Sequence, residues 1–170
     1  FTFLIISSAL LSQEQIFVGT RPLGMGGAFI AVADDGNTIT WNPAGLPRLR
    51  RKEFTSSYAD LYAMDISHSY TGIVWPFGDR VAVGFDWSNI GYDDQELNYS
   101  ENKLNFSLGY QPFKLVSIGG TFKYISRDMG LDGTSYGKST GIGYDLGLLV
   151  PPHKKLRFGL GLYDLGGTDV

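Results

Sequence analysis

The chain contains no cysteine. Disulfide scaffolds and thiolate zinc sites are therefore excluded, and an oxidising compartment suits such a chain as well as the cytosol does. Charge is scarce too: 18% of the 170 residues are Asp, Glu, Lys or Arg, against about 25% in an average domain. The net charge is −3, and no basic stripe is interleaved with aromatics, so nucleic acid is not an expected partner. No apolar run reaches the ~20 residues of a transmembrane helix. No Ser/His/Asp set or paired carboxylates mark a catalytic centre, and the two histidines, His68 and His153, lie far apart. An enzyme is not expected, nor a cofactor or a metal.

Glycine, apolar and aromatic residues are what the chain has in quantity. Its 23 glycines are roughly twice the usual share and disfavour long helices. The 43% hydrophobic content excludes disorder. Phe1 to Leu11 are almost wholly apolar and uncharged, followed by Ser12, Gln13, Glu14 and Gln15. This is about the length of a signal-peptide core, although the basic leading region is absent and Leu10 fits a small-residue cleavage site poorly. Residues 1–12 are read as a signal-peptide remnant, and the chain as a fragment clipped at both ends.

From Gly19 to Leu46 the sequence is small and Gly-rich. Ala28 to Ala33 fits a short helix ending at Asp34-Asp35-Gly36, and Asn42-Pro43 reads as an N-cap with proline in the first helical position. Such helices are too short to be stable alone and must pack on something larger. From Glu53 onward the hydrophobic period is two. Val81, Val83, Phe85 and Trp87 alternate with Arg80, Ala82, Gly84 and Asp86. Leu104 to Tyr110, Val116 to Tyr124, Ile142 to Leu148 and Leu156 to Leu162 repeat the pattern. Less regular strands are expected near Phe54–Leu61 and Ser67–Trp75. About seven antiparallel strands result, each with an aromatic-rich apolar face and a small or polar face.

The connections alternate between tight and long. Pro76 to Asp79, Gln111 to Lys114 and Pro151 to Lys155 read as tight turns. Ile90 to Glu101, with acidic Asp93, Asp94 and Glu96, and Asp128 to Lys138 read as long loops. This sorting, with small residues rather than dense charge on the second face, favours a membrane barrel over a soluble sandwich. Trp75, Phe77, Trp87, Tyr92, Tyr110, Phe113, Tyr124 and Tyr144 are expected to form interfacial girdles. An open sheet cannot span a membrane, because its unpaired edges would face hydrocarbon, so such a barrel needs more strands than these.

The segments Gly24-Met25-Gly26-Gly27-Ala28, Ala33-Asp34-Asp35 and Trp41-Asn42-Pro43-Ala44-Gly45 resemble the start of PorV/PorQ-type outer-membrane proteins, which are related to FadL-like transporters. Asp145-Leu146-Gly147-Leu148-Leu149 and Leu162-Tyr163-Asp164-Leu165-Gly166 resemble the middle of such barrels. The resemblance implies an all-β antiparallel transmembrane barrel, about seven strands of an implied fourteen or so, in the outer membrane of a Gram-negative bacterium. It places residues 13–50 inside the lumen as a hatch and residues 51–170 as the first half of the wall. Gly24, Gly26, Gly27, Asp34, Asp35, Asn42, Pro43 and Ala44 are the implied hatch or gating residues.

Read from its residues alone, Gly24-x-Gly26-Gly27 lacks the spacing and the lysine of a nucleotide loop. Asp34-Asp35-Gly36-Asn37 lacks the spacing and final Glu of a calcium loop, so a turn is expected there. Arg48, Arg50, Arg51 and Lys52 form a basic cluster where hatch meets wall, suited equally to headgroups or to a solvated linker. Outer-membrane lipid is the expected partner, with a hydrophobic small molecule or secretion-system proteins beside it. Two functions follow from the resemblance: a hatch-plugged channel for hydrophobic or amphipathic compounds, or a non-transporting barrel of the type IX secretion kind that docks exported proteins.

Overall fold

The computed structural model describes residues 19–61, 64–93, 97–131, 134–153 and 156–165. The signal-like residues 1–12 lie outside them, as do Asp94, Glu96, Lys154 and Lys155. Four short helical segments come first: Thr20–Gly24, Ala28–Ala31, Thr38–Trp41 and Pro43–Arg48. Seven strands follow: β1 (Glu53–Leu61), β2 (Ile66–Phe77), β3 (Val81–Asp93), β4 (Leu97–Phe113), β5 (Val116–Leu131), β6 (Thr134–His153) and β7 (Leu156–Leu165). They form one sheet in sequence order, every neighbouring pair antiparallel. The sheet curls into half a barrel, with the helical segments packed on its inner face.

All seven expected strands are present, but the loop reading is corrected. The described residues of the supposed long loops are strand. Tyr92 pairs with Tyr99 and Gly91 with Ser100 across β3 and β4, and Met129 pairs with Gly137 across β5 and β6. Polar residues in these stretches mimic a loop in the sequence, yet the backbone ladder continues because cross-strand hydrogen bonding does not depend on side-chain polarity.

The two faces separate cleanly by parity. On the outer face Phe54, Ile73, Phe85, Phe106, Phe122 and Tyr144 stand in one register row crossing six strands. All are exposed, Phe106 at 54%. Phe122 and Tyr144 meet edge to face, with centroids 5.7 Å apart, a favourable aromatic geometry. Trp87, Leu104, Tyr124 and Ile142 form the next row, and Asn89, Asn102, Ser126 and Thr140 the one beyond it. The outer surface thus changes from apolar to polar at one level on four strands. The Trp87 indole points across this border and donates to Asn102 Oδ1 at 3.2 Å. Two expected girdle residues sit elsewhere: Tyr144 lies in the middle of the band, and Tyr92 has the inward parity of Asp86 and Ile90.

The hydrophobic core lies between the N-terminal segment and the inner wall. Ile39, Leu46 and Leu49 pack with Val74 and Ala82, and Phe29, Ala33 and Trp41 form a second cluster with Ile30 and Val32. Phe29 and Trp41 stack edge to face at 6.1 Å.

Candidate functional site

The inner wall is shaped to receive the N-terminal segment, here called the plug. Ala82, Gly109, Gly119, Gly147 and Gly161 occupy one register row on β3 to β7. A Cβ on Gly119 would fall on the backbone of Pro43 and Ala44. One on Gly147 would meet the Asn42 side chain, and one on Gly109 would meet Pro47 and Leu46. The row is a trough that lets one backbone lie against another, a close approach that only glycine permits.

Asn42 is the polar pivot of this contact and is fully buried. Its Oδ1 accepts from Ala44 N at 3.1 Å, capping the segment that Pro43 begins, as the sequence led us to expect. Its Nδ2 donates to Ile30 O at 2.8 Å and to Leu148 O at 3.2 Å. One side chain therefore joins two parts of the plug to β6. Tyr163 donates its hydroxyl to Trp41 O, Arg48 Nε donates to Ser117 Oγ at 3.0 Å, and Thr40 donates to Asp86 Oδ2 at 3.3 Å.

The implied hatch residues divide into two groups. Asn42, Pro43 and Ala44 are seated in the trough. Gly24 and Gly26 are exposed, and a Cβ on either would meet nothing within 4 Å. Gly27 starts the Ala28–Ala31 turn in a left-handed conformation, φ 80°. Asp34 and Asp35 close a turn: Arg21 Nη1 pairs with them at 2.7 and 2.6 Å, and Asp35 Oδ1 accepts from Asn37 N at 2.9 Å. Hydrogen bonds from Arg21 to Asp34 and then Asp35 push its guanidinium pKa up. Arg157 on β7 lies 3.6 Å from Asp34, and a Cβ on Gly36 would meet the Thr55 side chain of β1, so this turn touches both edge strands of the described sheet.

Beyond the trough, the inner wall carries charges that sequence reading passed over. Lys123 bridges Asp145, at 2.8 Å, and Asp164, and all three side chains are nearly buried. Asp164 N donates to Asp145 Oδ1 at 2.9 Å. Asp86 accepts from Asn105 Nδ2 at 2.8 Å. Further along, Glu101 accepts from Arg127 Nε at 2.6 Å and from the Tyr99 hydroxyl at 3.0 Å. His68, buried, occupies the same level as Glu101 by register. Isolated charges on a small-residue face were the available signal for Lys123, Asp145, Asp86, Glu101 and Arg127, which have the inward parity. Asp164 has the parity of Leu160 and Leu162 and turns inward at the register shift between Tyr144 and Leu146, and the pairing of all of them needed the register.

The arrangement can hold a plug in place and line a polar interior. Among the described residues, no three His, Cys, Asp or Glu side chains are grouped to hold a metal ion. No protein-family model matches the chain, and comparison with curated proteins finds no match.

Proposed function

We propose that this chain is wall and plug of a β-barrel in the outer membrane of a Gram-negative bacterium, where the plug governs passage of amphipathic compounds. The single observation that carries the reading is the outward face. A half-exposed aromatic side chain contributes on the order of 100 Å², so the Phe54–Tyr144 row and its neighbours present on the order of 1,000 Å² of contiguous apolar surface. A soluble monomer rarely shows more than roughly 300–600 Å². The height also fits. Leu104 to Phe113 covers roughly 31 Å of strand, or about 23 Å at the ~40° tilt of such barrels, close to their ~25 Å apolar band. Inside, the paired charges favour an amphipathic over a purely hydrophobic passenger.

The test exploits the absence of cysteine from these 170 residues, with any cysteine elsewhere in the full-length protein replaced by serine. Thr40→Cys with Asp86→Cys in the full-length protein places a removable bridge between plug and wall. Oxidation is expected to stop uptake of an amphipathic probe and reduction to restore it. Equal uptake in both states would sink the gating reading.

The second reading is a non-transporting barrel serving protein secretion. The close seating of Asn42, Pro43 and Ala44 in the glycine row favours it, because a plug held by its backbone resists displacement. Here the bridge would leave function untouched, and the protein would co-purify with secretion components or exported proteins.

A further inference from the structure

The end of the sheet bearing the β2–β3 and β4–β5 turns is cationic. Arg50, Arg51 and Lys52 leave the plug there, Arg80 sits in the first turn and Lys114 in the second. A cavity of about 570 Å³ opens between the turns, lined by Arg50, Asp79, Arg80, Gln111, Phe113 and Lys114. Its frame is fixed by backbone contacts: Gln111 N donates to Arg80 O at 2.8 Å, and Gln111 Nε2 donates to Lys114 O at 3.0 Å. Asp79 pairs with Arg50 at 2.9 Å. Among the described residues Arg80 and Lys114 have no ion-pair partner, so the cavity keeps a surplus of two cations.

Apolar surface adjoins this charge directly. Phe113 and Leu115 are exposed at the same end and continue the outer apolar band to the cavity's lip. Nearby, Lys52 Nζ lies 3.4 Å from the centre of the Trp75 ring. An ammonium over an indole at the edge of an apolar belt is an interfacial arrangement. The opposite border of the band has a different chemistry, the uncharged Asn89, Asn102, Ser126 and Thr140 row.

We propose that this cavity binds the phosphate of an anionic phospholipid whose acyl chains lie along the band over Phe113. The proposal rests on the membrane reading above. Arg80 offers a planar fork that matches phosphate oxygens, and Lys114 adds a compact charge from the facing turn. Arg50, held by Asp79, completes the rim.

The experiment uses the full-length protein in bilayers, with Trp87 and any tryptophan outside these 170 residues replaced by phenylalanine so that Trp75 reports lipid at this border; Trp41 is buried in the plug. Quenching by brominated phosphatidylglycerol is compared with quenching by brominated phosphatidylcholine. The anionic lipid is expected to be preferred by at least about fivefold, the effect of one basic side chain near a membrane surface. Arg80→Gln with Lys114→Gln should abolish the preference, while Lys138→Gln at the far border should leave it unchanged. Equal quenching by both lipids, or an unchanged preference in the double variant, overturns the site. Loss of the preference on adding inorganic phosphate overturns the lipid assignment in favour of the free anion. Absence of quenching by either lipid overturns the membrane reading instead. Arg80 and Lys114 are exposed turn residues, and Arg80→Lys, which keeps the charge, should retain most of the preference.

Discussion

Replacing Phe106 with arginine puts a guanidinium inside the outer apolar band, two residues in from its Leu104 border. Phe106 is 54% exposed and stands between Phe85 and Phe122 in register. If that face met water, the change would be nearly neutral, within about 0.5 kcal/mol as for most surface substitutions. If it meets lipid, the charge costs roughly 2 kcal/mol at this depth, between the 2–4 kcal/mol of the midplane and the 0–1 kcal/mol of the border. Loss of two cross-strand aromatic neighbours adds about 0.2–1 kcal/mol each. A total near 3 kcal/mol shifts the folding equilibrium by roughly a hundredfold. Asn102→Arg is the internal control. Asn102 lies on the same strand and face, just past the polar border, where a charge costs only about 0–1 kcal/mol. Reversible denaturant unfolding of the full-length protein in bilayers measures both. A Phe106→Arg cost below about 1 kcal/mol, or equal to that of Asn102→Arg, would refute the claim that this face is lipid-facing.

Two further outcomes probe the inside. Gly119→Val forces branched carbon into the backbone of Pro43 and Ala44, so a loss of about 1–3 kcal/mol is expected, with faster hydrogen exchange at Ala44 and Gly45. Gly24→Ala, with open space around it, should leave that exchange unaltered; similar exchange in both variants would show that the glycine row does not seat the plug. Lys123→Met leaves Asp145 and Asp164 facing each other without their shared cation, a loss of roughly 3–5 kcal/mol. Adding Asp145→Asn and Asp164→Asn should recover most of it, and unfolding curves that fail to separate the single from the triple variant would count against a buried triad.

The strands were legible because a period of two survives almost any context. Val81 to Trp87 and Leu104 to Tyr110 show it plainly, and both are strands with the expected faces. The Asn42 cap was legible for a similar reason: it depends on residues two positions apart. The described residues of Ile90–Glu101 and Asp128–Lys138 are strand where loops were expected, because polar content and strand pairing are independent. The sorting of loop lengths that favoured a barrel therefore has no counterpart in the structure, where the described hairpins run long with short connections. The composition of the two faces is the argument that survives. Glycine likewise announces a special position without naming its neighbour: Gly24 meets nothing and Gly119 meets the plug, though the sequence marks both alike.

Local spacing by itself determined the seven strands, the division of each into an apolar and a small face, and the helical start at Asn42-Pro43. These depend on contacts within a few residues. Only the tertiary structure decided which face turns inward, which glycines line up across four strands, and which charges share Lys123. Those outcomes depend on register between residues tens of positions apart, and on the plug, whose burial against one side of the sheet leaves the other side bare.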